Sequence, residues 1–362
     1  MASTSSEDSA DLRVGLAGYG LAGSAFHAPL VSTTPGLRLD GVLTTNPERR
    51  AQLAAEHPGA RAVDSVEALL GTRPDLVVVA NANRAHVATA RAALEAGVPV
   101  VVDKPLAATS AEAAELCELA AARGLLLTVF QNRRWDADFR TAQALVEAGR
   151  LGAVHRFESH FDRWRPQLKA GWRESADPAD AGGVLYDLGS HLVDQAIRLF
   201  GPVVRVYAEV DVRRAAAGAA VDDDAFLALT HAGGVRSHLG MSALTAQLGP
   251  RLRVLGDKGA YVKYGLDPQE AALRDGRRPG GEGWGEEPPE AWGLLGTDAD
   301  AEPYRSLPGD YPAFYAGVER ALREGGPAPV DPLDAVRVLR VLEAARRSAA
   351  EGTAVEPAGE EA

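Results

Sequence analysis

From Leu12 onward, short aliphatic runs alternate with Ala-rich segments whose apolar positions recur at helical spacing, the pattern of a parallel sheet covered by helices. The runs are LRVGLAG near residue 12, LRLDGVLT near 37, DLVVVAN near 75, PVVVDKP near 99 and LLLTVFQN near 125. Between them the spacing predicts helices over Asn46–Glu56, His86–Ala96 and Ser110–Arg123, with Gly97 and Gly124 as helix stops. After Trp135 the pattern changes. VHRFESHFDRW, VVRVYAEVDV, DAFLALTHA, GVRSHLGMSA and LRVLGDKGAYVKY read as longer strands of an antiparallel or mixed sheet, with Asp257-Lys258-Gly259 as a hairpin turn and one conspicuous helix starting near Gly183. The stretch from Asp275 to Asp300, rich in Gly, Pro and Glu, reads as a long surface loop, and two helices, Ala313–Glu324 and Pro332–Ala349, close the chain.

Length agrees with this change of pattern. At roughly 150 residues per domain, 362 residues are expected to make two. With 46% hydrophobic and 24% charged residues the composition is that of ordinary globular proteins, not of a disordered or fibrous chain. The net charge of −12 disfavours nucleic acid as a partner, because such binding needs concentrated Lys and Arg. It does not disfavour an anionic cofactor, which a helix N-terminus attracts through its free N–H groups. The single cysteine, Cys117, excludes an intrachain disulfide and reads as core filler. The acidic, Ser-rich start resembles no export signal, and no run approaches the roughly 20 apolar residues that cross a bilayer, so a cytoplasmic protein is expected.

The chemistry begins at Gly18-Tyr19-Gly20-Leu21-Ala22-Gly23, a G-x-G-x-x-G between a strand and a helix. The first glycine permits the tight turn, the second admits a pyrophosphate close to the backbone, and the third lets helix and sheet pack closely, which points to a dinucleotide. An acidic residue closing the second strand would grip a ribose hydroxyl. Here the strand ends in Thr44 and Thr45, Asp40 lies too early, and Arg49 or Arg50 offers positive charge, so NADP is favoured over NAD. Asp103-Lys104-Pro105 follows at the carboxyl end of a strand, where open α/β sheets bind ligands and a lysine can stabilise charge on a substrate oxygen. Within Gly182–His191, Asp187 and His191 stand four residues apart, sharing one face of a helix. Arg163 and Trp164 are weaker candidates for lining a sugar pocket. His155 and His160 fall on opposite faces of a strand, and no His/Cys/carboxylate cluster points to a metal.

Taken together, the glycine fingerprint, the D-K-P motif and the G-G-x-x-x-D-x-G-x-H stretch resemble the Gfo/Idh/MocA family of glucose-fructose oxidoreductases and inositol dehydrogenases. The phrases FHAPL, VVDKP, QNRRWD, FESHFDRWRP and LYDLGSHLVDQ are similar to its subgroup of scyllo-inositol dehydrogenases. The resemblance spans Leu12 to about Ala350. It implies an α/β protein: a Rossmann domain with a parallel sheet over residues 12–135, then an α+β domain with a large open, mostly antiparallel sheet over 136–350; the polar, acidic composition of the ends adds disordered tails at 1–11 and 351–362. The resemblance implies Lys104, Asp187 and His191 as the catalytic set. His191 would take the hydroxyl proton, Asp187 would orient it or relay its proton, and Lys104 would hold the substrate oxygen; Lys104, Asp187 and His191 would thus also contact substrate, with Arg163 and Trp164. Cofactor contacts are expected from residues 18–23, Thr44, Thr45, Arg49, Ala80, Asn81, Asn83, His86, Asp103 and Lys104.

The expected reaction is hydride transfer between NADP (or NAD) and a secondary alcohol or ketone carbon of an inositol, sugar or similar polyol, by a homo-oligomer. Two other classes share the fold: glycosidases that use bound NAD transiently, and noncatalytic dinucleotide-binding sensors. Retention of Lys104, Asp187 and His191 weighs against the sensor.

Overall fold

The computed structural model describes residues 10–168 and 171–359. In its first sheet the apolar runs are buried on both faces, which explains why they lack alternation. The strands are β1 (Leu12–Ala17), β2 (Leu37–Leu43), β3 (Arg61–Val63), β4 (Leu76–Val79), β5 (Val100–Asp103) and β6 (Leu127–Phe130), all parallel, in the order β3-β2-β1-β4-β5-β6. Val77 and Val79 pack against the helices Asn83–Glu95 and Ser110–Arg123. Leu76 and Val78 face the other way, toward Leu30, Leu53 and the helix Pro312–Glu324, which returns from late in the chain with Phe314, Tyr315 and Val318. The strand order reverses between β1 and β4, so the loops after these strands open a crevice at the carboxyl edge of the sheet.

The second sheet contains β7 (Val154–Asp162), β8 (Val203–Asp211), β9 (Asp224–His231), β10 (Arg236–Ser242), β11 (Leu252–Gly256), β12 (Ala260–Lys263), β13 (Gly293–Gly296) and β14 (Glu302–Tyr304). Its order is β14-β13-β12-β11-β7-β10-β9-β8, antiparallel except where β10 runs parallel to β7. Along β7, Phe157, Ser159 and Phe161 are buried while Arg156, Glu158 and His160 lie on the more open face. The helices Ser190–Phe200 and Pro332–Glu351 cover the buried face, and the latter also packs on Ser110–Arg123. Glu343 fixes that junction by accepting from the Ser110 N–H and hydroxyl, both at 2.7 Å.

Two elements are added and two expectations change. β3 and the helix Val66–Gly71 are additions: Arg-Ala-Val is too short and exposed to show a pattern, and the helix is held at its start by Ser65, whose hydroxyl accepts from the Ala68 N–H at 3.1 Å. The stretch from Asp275 to Asp300 is no plain surface loop. It contains β13, buries Trp284, whose indole N–H donates to Gln269 at 2.8 Å, and pairs Glu287 with the buried Lys263 at 3.0 Å. The expected disordered end at 351–362 is ordered through Gly359, because Val355 exchanges two 2.8 Å backbone bonds with Val206; residues 360–362 lie outside the described residues. Of the expected tail at 1–11, residues 1–9 likewise lie outside them.

Candidate active site

The crevice at the carboxyl edge is a cleft of about 840 Å³ that runs from the glycine turn to the start of the helix Ser190–Phe200. At one end Gly18 sits at φ +109°, where a Cβ would lie 2.6 Å from the Ala80 carbonyl oxygen, and a Cβ on Gly23 would lie 2.1 Å from the Gly18 oxygen. Only glycine fits either place. Tyr19 turns its ring into the core and donates its hydroxyl to Glu56 at 2.8 Å, so the turn offers the cleft its backbone. Gly20, Leu21 and Ala22 complete the rim.

Thr44, Thr45, Asn46 and Arg49 line the cleft beyond β2. Asn46 accepts from the Arg49 N–H at 3.0 Å and Pro47 opens the helix Pro47–Glu56, which sets Arg49 in the first turn. The Arg49 guanidinium lies 3.8 Å from the position of a Gly20 Cβ and has no hydrogen-bond or ion-pair partner among the described residues. Arg50, the alternative at the sequence level, is occupied by the Thr44 carbonyl at 2.9 Å and by Asp64. Asp40 is likewise taken, between Arg38 and Arg61, both at 2.9 Å. Across the turn, Ala80, Asn81 and Asn83 line the cleft, and Asn81 Oδ1 is buried without a partner among the described residues. A glycine cradle that admits no Cβ, with an unpaired guanidinium beside it, fits the pyrophosphate of a nicotinamide dinucleotide, and the Asn81 amide oxygen is left to accept from a donor on such a ligand.

At the other end, cleft residues from four segments meet. Lys104, after β5 and joined to Pro105 by a cis peptide, donates to the Asp187 carboxylate at 3.0 Å and to the Asp187 carbonyl at 2.7 Å. An ammonium has three N–H groups, so one remains for a substrate oxygen. Arg173 donates to the second Asp187 oxygen at 2.6 Å. Burial pushes the Asp187 carboxyl up, but Lys104 and Arg173 outweigh it and hold the group far below the ordinary carboxylate range. Asp187 lies in a wide π-type turn, Leu185–Gly189, that runs into the helix Ser190–Phe200, and His191 follows one turn on. His191 is buried, its Nδ1 has no partner among the described residues, and burial together with the nearby cations Lys104, Arg133 and Arg251 depresses its pKa well below 6.5, despite Asp187. The ring is therefore neutral near pH 7.

Three expected roles need correction. Asp187 is hydrogen-bonded to Lys104 and Arg173, not to His191. His86 does not line the cleft: it is buried, with Nδ1 donating to the Pro105 carbonyl at 2.8 Å and Nε2 3.3 Å from the Asn81 carbonyl, so it braces two loops that do. Trp164 is 57% exposed and faces away, whereas Arg163 lines the cleft, since adjacent residues of an extended segment point to opposite sides. Asn83 reaches the rim but gives its amide to the Asp180 carbonyl at 2.7 Å, and Asp103 lies 3.5 Å from His27 Nε2. Sequence reasoning missed Trp172 and Arg173, which carry no periodic signal; a Trp-Arg pair shortly before the G-G-x-x-x-D stretch was the available clue.

Fold and cleft together define a nicotinamide-dinucleotide oxidoreductase class, and comparison with known proteins agrees. Residues 12–131 match the oxidoreductase family's NAD-binding Rossmann fold, and residues 143–356 its C-terminal alpha/beta domain, both of Gfo/Idh/MocA. The chain is 42% identical over 344 residues to the uncharacterised oxidoreductase YdgJ of Escherichia coli, covering 94% of this chain and 96% of that protein. It is 35% identical over 345 residues to scyllo-inositol 2-dehydrogenase (NADP(+)) IolW of Bacillus subtilis, covering 94% of each. The solved structure of yvaA from Bacillus subtilis matches with a TM-score of 0.90 at 34% identity, over 96% of this chain and 98% of that one. The chain belongs to the Gfo/Idh/MocA family of oxidoreductases.

Proposed function

We propose that this chain is an NADP(H)-dependent oxidoreductase that interconverts a secondary alcohol and a ketone on a small polyhydroxylated substrate such as an inositol or a sugar. The observation that carries this reading is the convergence of Lys104, Asp187 and His191 on the cleft that the Gly18–Gly23 turn begins. The unpaired Arg49 and the absence of a free carboxylate at the end of β2 among the described residues support a 2′-phosphate, as does the similarity to the Bacillus subtilis scyllo-inositol 2-dehydrogenase (NADP(+)).

When bound, the dinucleotide supplies hydride acceptance or donation at the carbinol carbon. The chain's own residues manage the oxygen and its proton. In oxidation the neutral His191 ring accepts the hydroxyl proton, a role its depressed pKa permits at neutral pH. Lys104 directs its remaining N–H to the same oxygen and stabilises the negative charge that grows there. Asp187 positions Lys104 through two bonds, and Arg173 keeps the Asp187 carboxylate ionised. In reduction the protonated His191 returns the proton. On this reading the protein acts in the cytoplasm, and its open sheet face, which exposes Tyr207 and Leu294, serves contacts between subunits.

The test is absorbance of the reduced nicotinamide while the purified protein is offered NADP⁺ or NAD⁺ with a panel of inositols, sugars and their acids. Turnover with NADP⁺ preferred is the expected result. Binding of either dinucleotide with no turnover in either direction would contradict the reading.

A further inference from the structure

The substrate end of the cleft carries more positive charge than the chemistry uses. Seven cationic side chains and three carboxylates line the whole cleft, in a chain whose net charge is −12. Most of these cations are internally neutralised. Lys104 and Arg173 share Asp187, Arg133 pairs with Asp136 at 3.1 Å and with Glu270 at 2.5 Å, and Arg274 pairs with Glu270 at 2.8 Å. Arg49 belongs to the dinucleotide end. Arg163 and Arg165 remain, and neither guanidinium has a hydrogen bond or an ion pair among the described residues.

Their placement is fixed by backbone. The segment after β7 continues as an extended ribbon beside the chain leaving β10: the Arg163 N–H donates to Ser242 at 2.8 Å, the Arg165 N–H to Ala243 at 2.7 Å, and the Thr245 N–H to Arg163 at 3.1 Å. At the two-residue period of a strand, Arg163 and Arg165 share the side that faces the cleft, while Trp164 takes the other. The Arg163 guanidinium stacks on the Phe161 ring at 5.0 Å, with Arg133 4.7 Å from the same ring. Burial and the neighbouring Arg165 push the Arg163 pKa down to about 10. Beside these two residues a side chamber of about 220 Å³ opens, lined also by Trp172, Arg173 and Asp187 and thus continuous with the cleft. The carboxylates of this chamber are bonded elsewhere, Asp187 to Lys104 and Arg173, Glu174 to Arg214 at 3.2 Å and Asp222 to Arg346 at 3.3 Å, so Arg163 and Arg165 face it with no ion-pair partner of their own among the described residues, and an anion entering between them offsets their mutual repulsion.

We propose that the substrate is a polyol bearing an oxyanion, a carboxylate or a phosphate monoester, which Arg163 and Arg165 hold in the side chamber while the carbinol carbon lies at His191 and Lys104. Guanidinium forks match the paired oxygens of both groups. This rests on the hydride-transfer reading of the same cleft and narrows its substrate from neutral polyols to polyol acids.

Binding is measured by calorimetry on the NADP⁺-loaded protein with matched pairs, gluconate against glucitol and mannitol phosphate against mannitol, alongside nicotinamide-linked turnover of each. The acidic member of at least one pair is expected to bind about tenfold to a hundredfold more tightly, as charge-assisted hydrogen bonds allow, and to lose that advantage with added salt. Arg163→Gln and Arg165→Gln remove the preference, Arg163→Lys restores part of it, and NADPH affinity is unchanged in all three. Because Arg165 is exposed, its variant folds even if Arg163→Gln does not. Acids and neutral partners binding alike or not at all, a preference that survives both Gln variants, or an equal loss of NADPH affinity in them would each overturn the proposal. Turnover of neutral polyols without preference for acids sinks this inference alone; acid-selective binding with no nicotinamide turnover sinks the dehydrogenase reading instead.

Discussion

At its dinucleotide end the cleft is made of backbone, a turn through Gly18 and Gly23 with one unpaired cation, Arg49, above it. At its substrate end it is made of side chains, Lys104, Arg173, Asp187 and His191, drawn from segments up to 87 residues apart, with Lys104 and Arg173 joined through the Asp187 carboxylate and His191 standing beside them. The backbone end tolerates change only where a Cβ finds space. The side-chain end depends on the charges of Lys104, Arg173 and Asp187, which hold one another in place. Binding and chemistry therefore rest on different kinds of structure, and substitutions at the two ends should separate them.

The largest separation is expected from Lys104→Met, which keeps most of the volume and removes the oxygen-directed N–H. A loss of about a hundredfold to a thousandfold in kcat is expected, with NADPH affinity retained; equal loss of both would mean the two ends are not independent. Gly23→Ala is the converse. Its Cβ would meet the Gly18 oxygen at 2.1 Å, so backbone must shift. Thermal unfolding should show a loss of about 1–3 kcal/mol, and NADPH titration a weaker complex. Arg49→Gln is milder: about tenfold weaker NADPH binding with NADH unchanged, read by fluorescence titration. If both dinucleotides weaken equally, Arg49 is not reading a 2′-phosphate.

The pH profile sharpens the same contrast. His191 must be neutral to accept a proton, and its pKa lies below 6.5 in the free protein. The acid limb of kcat/KM for oxidation should therefore fall off only below 6.5, as the ring protonates, while reduction gains as pH falls toward that value. A limb above 6.5 would mean that His191 is less buried or less surrounded by cations than its environment here implies.

The two ends also differed in how far they could be read from sequence. The glycine turn is contiguous, and each of its constraints is local, so spacing alone located it. The strands buried on both faces announced themselves as unbroken runs such as Val100–Val102, whereas Arg61–Val63, short and exposed at the sheet's edge, gave no pattern. Lys104, Asp187 and His191 were legible as motifs, but their wiring was not: chain spacing suggested Asp187 beside His191, and the fold instead brings in Lys104 and Arg173. Arg173 and Trp172 sit in an irregular segment where no period operates, so only the folded chain shows them at the site. Naming both Arg163 and Trp164 overlooked that neighbours on an extended ribbon face apart. In Asp275–Asp300, Gly and Pro masked Trp284 and Glu287, two buried anchors inside a loop-like composition.

The most direct test of the central claim, that a backbone-built dinucleotide site and a side-chain acid–base site share one cleft, is a paired measurement on His191→Ala: NADPH affinity by titration and nicotinamide-linked turnover on the same preparation. Affinity within about twofold of the parent, with turnover reduced about a hundredfold or more, is the expected result. Turnover that survives the substitution, or affinity that collapses with it, would contradict the claim.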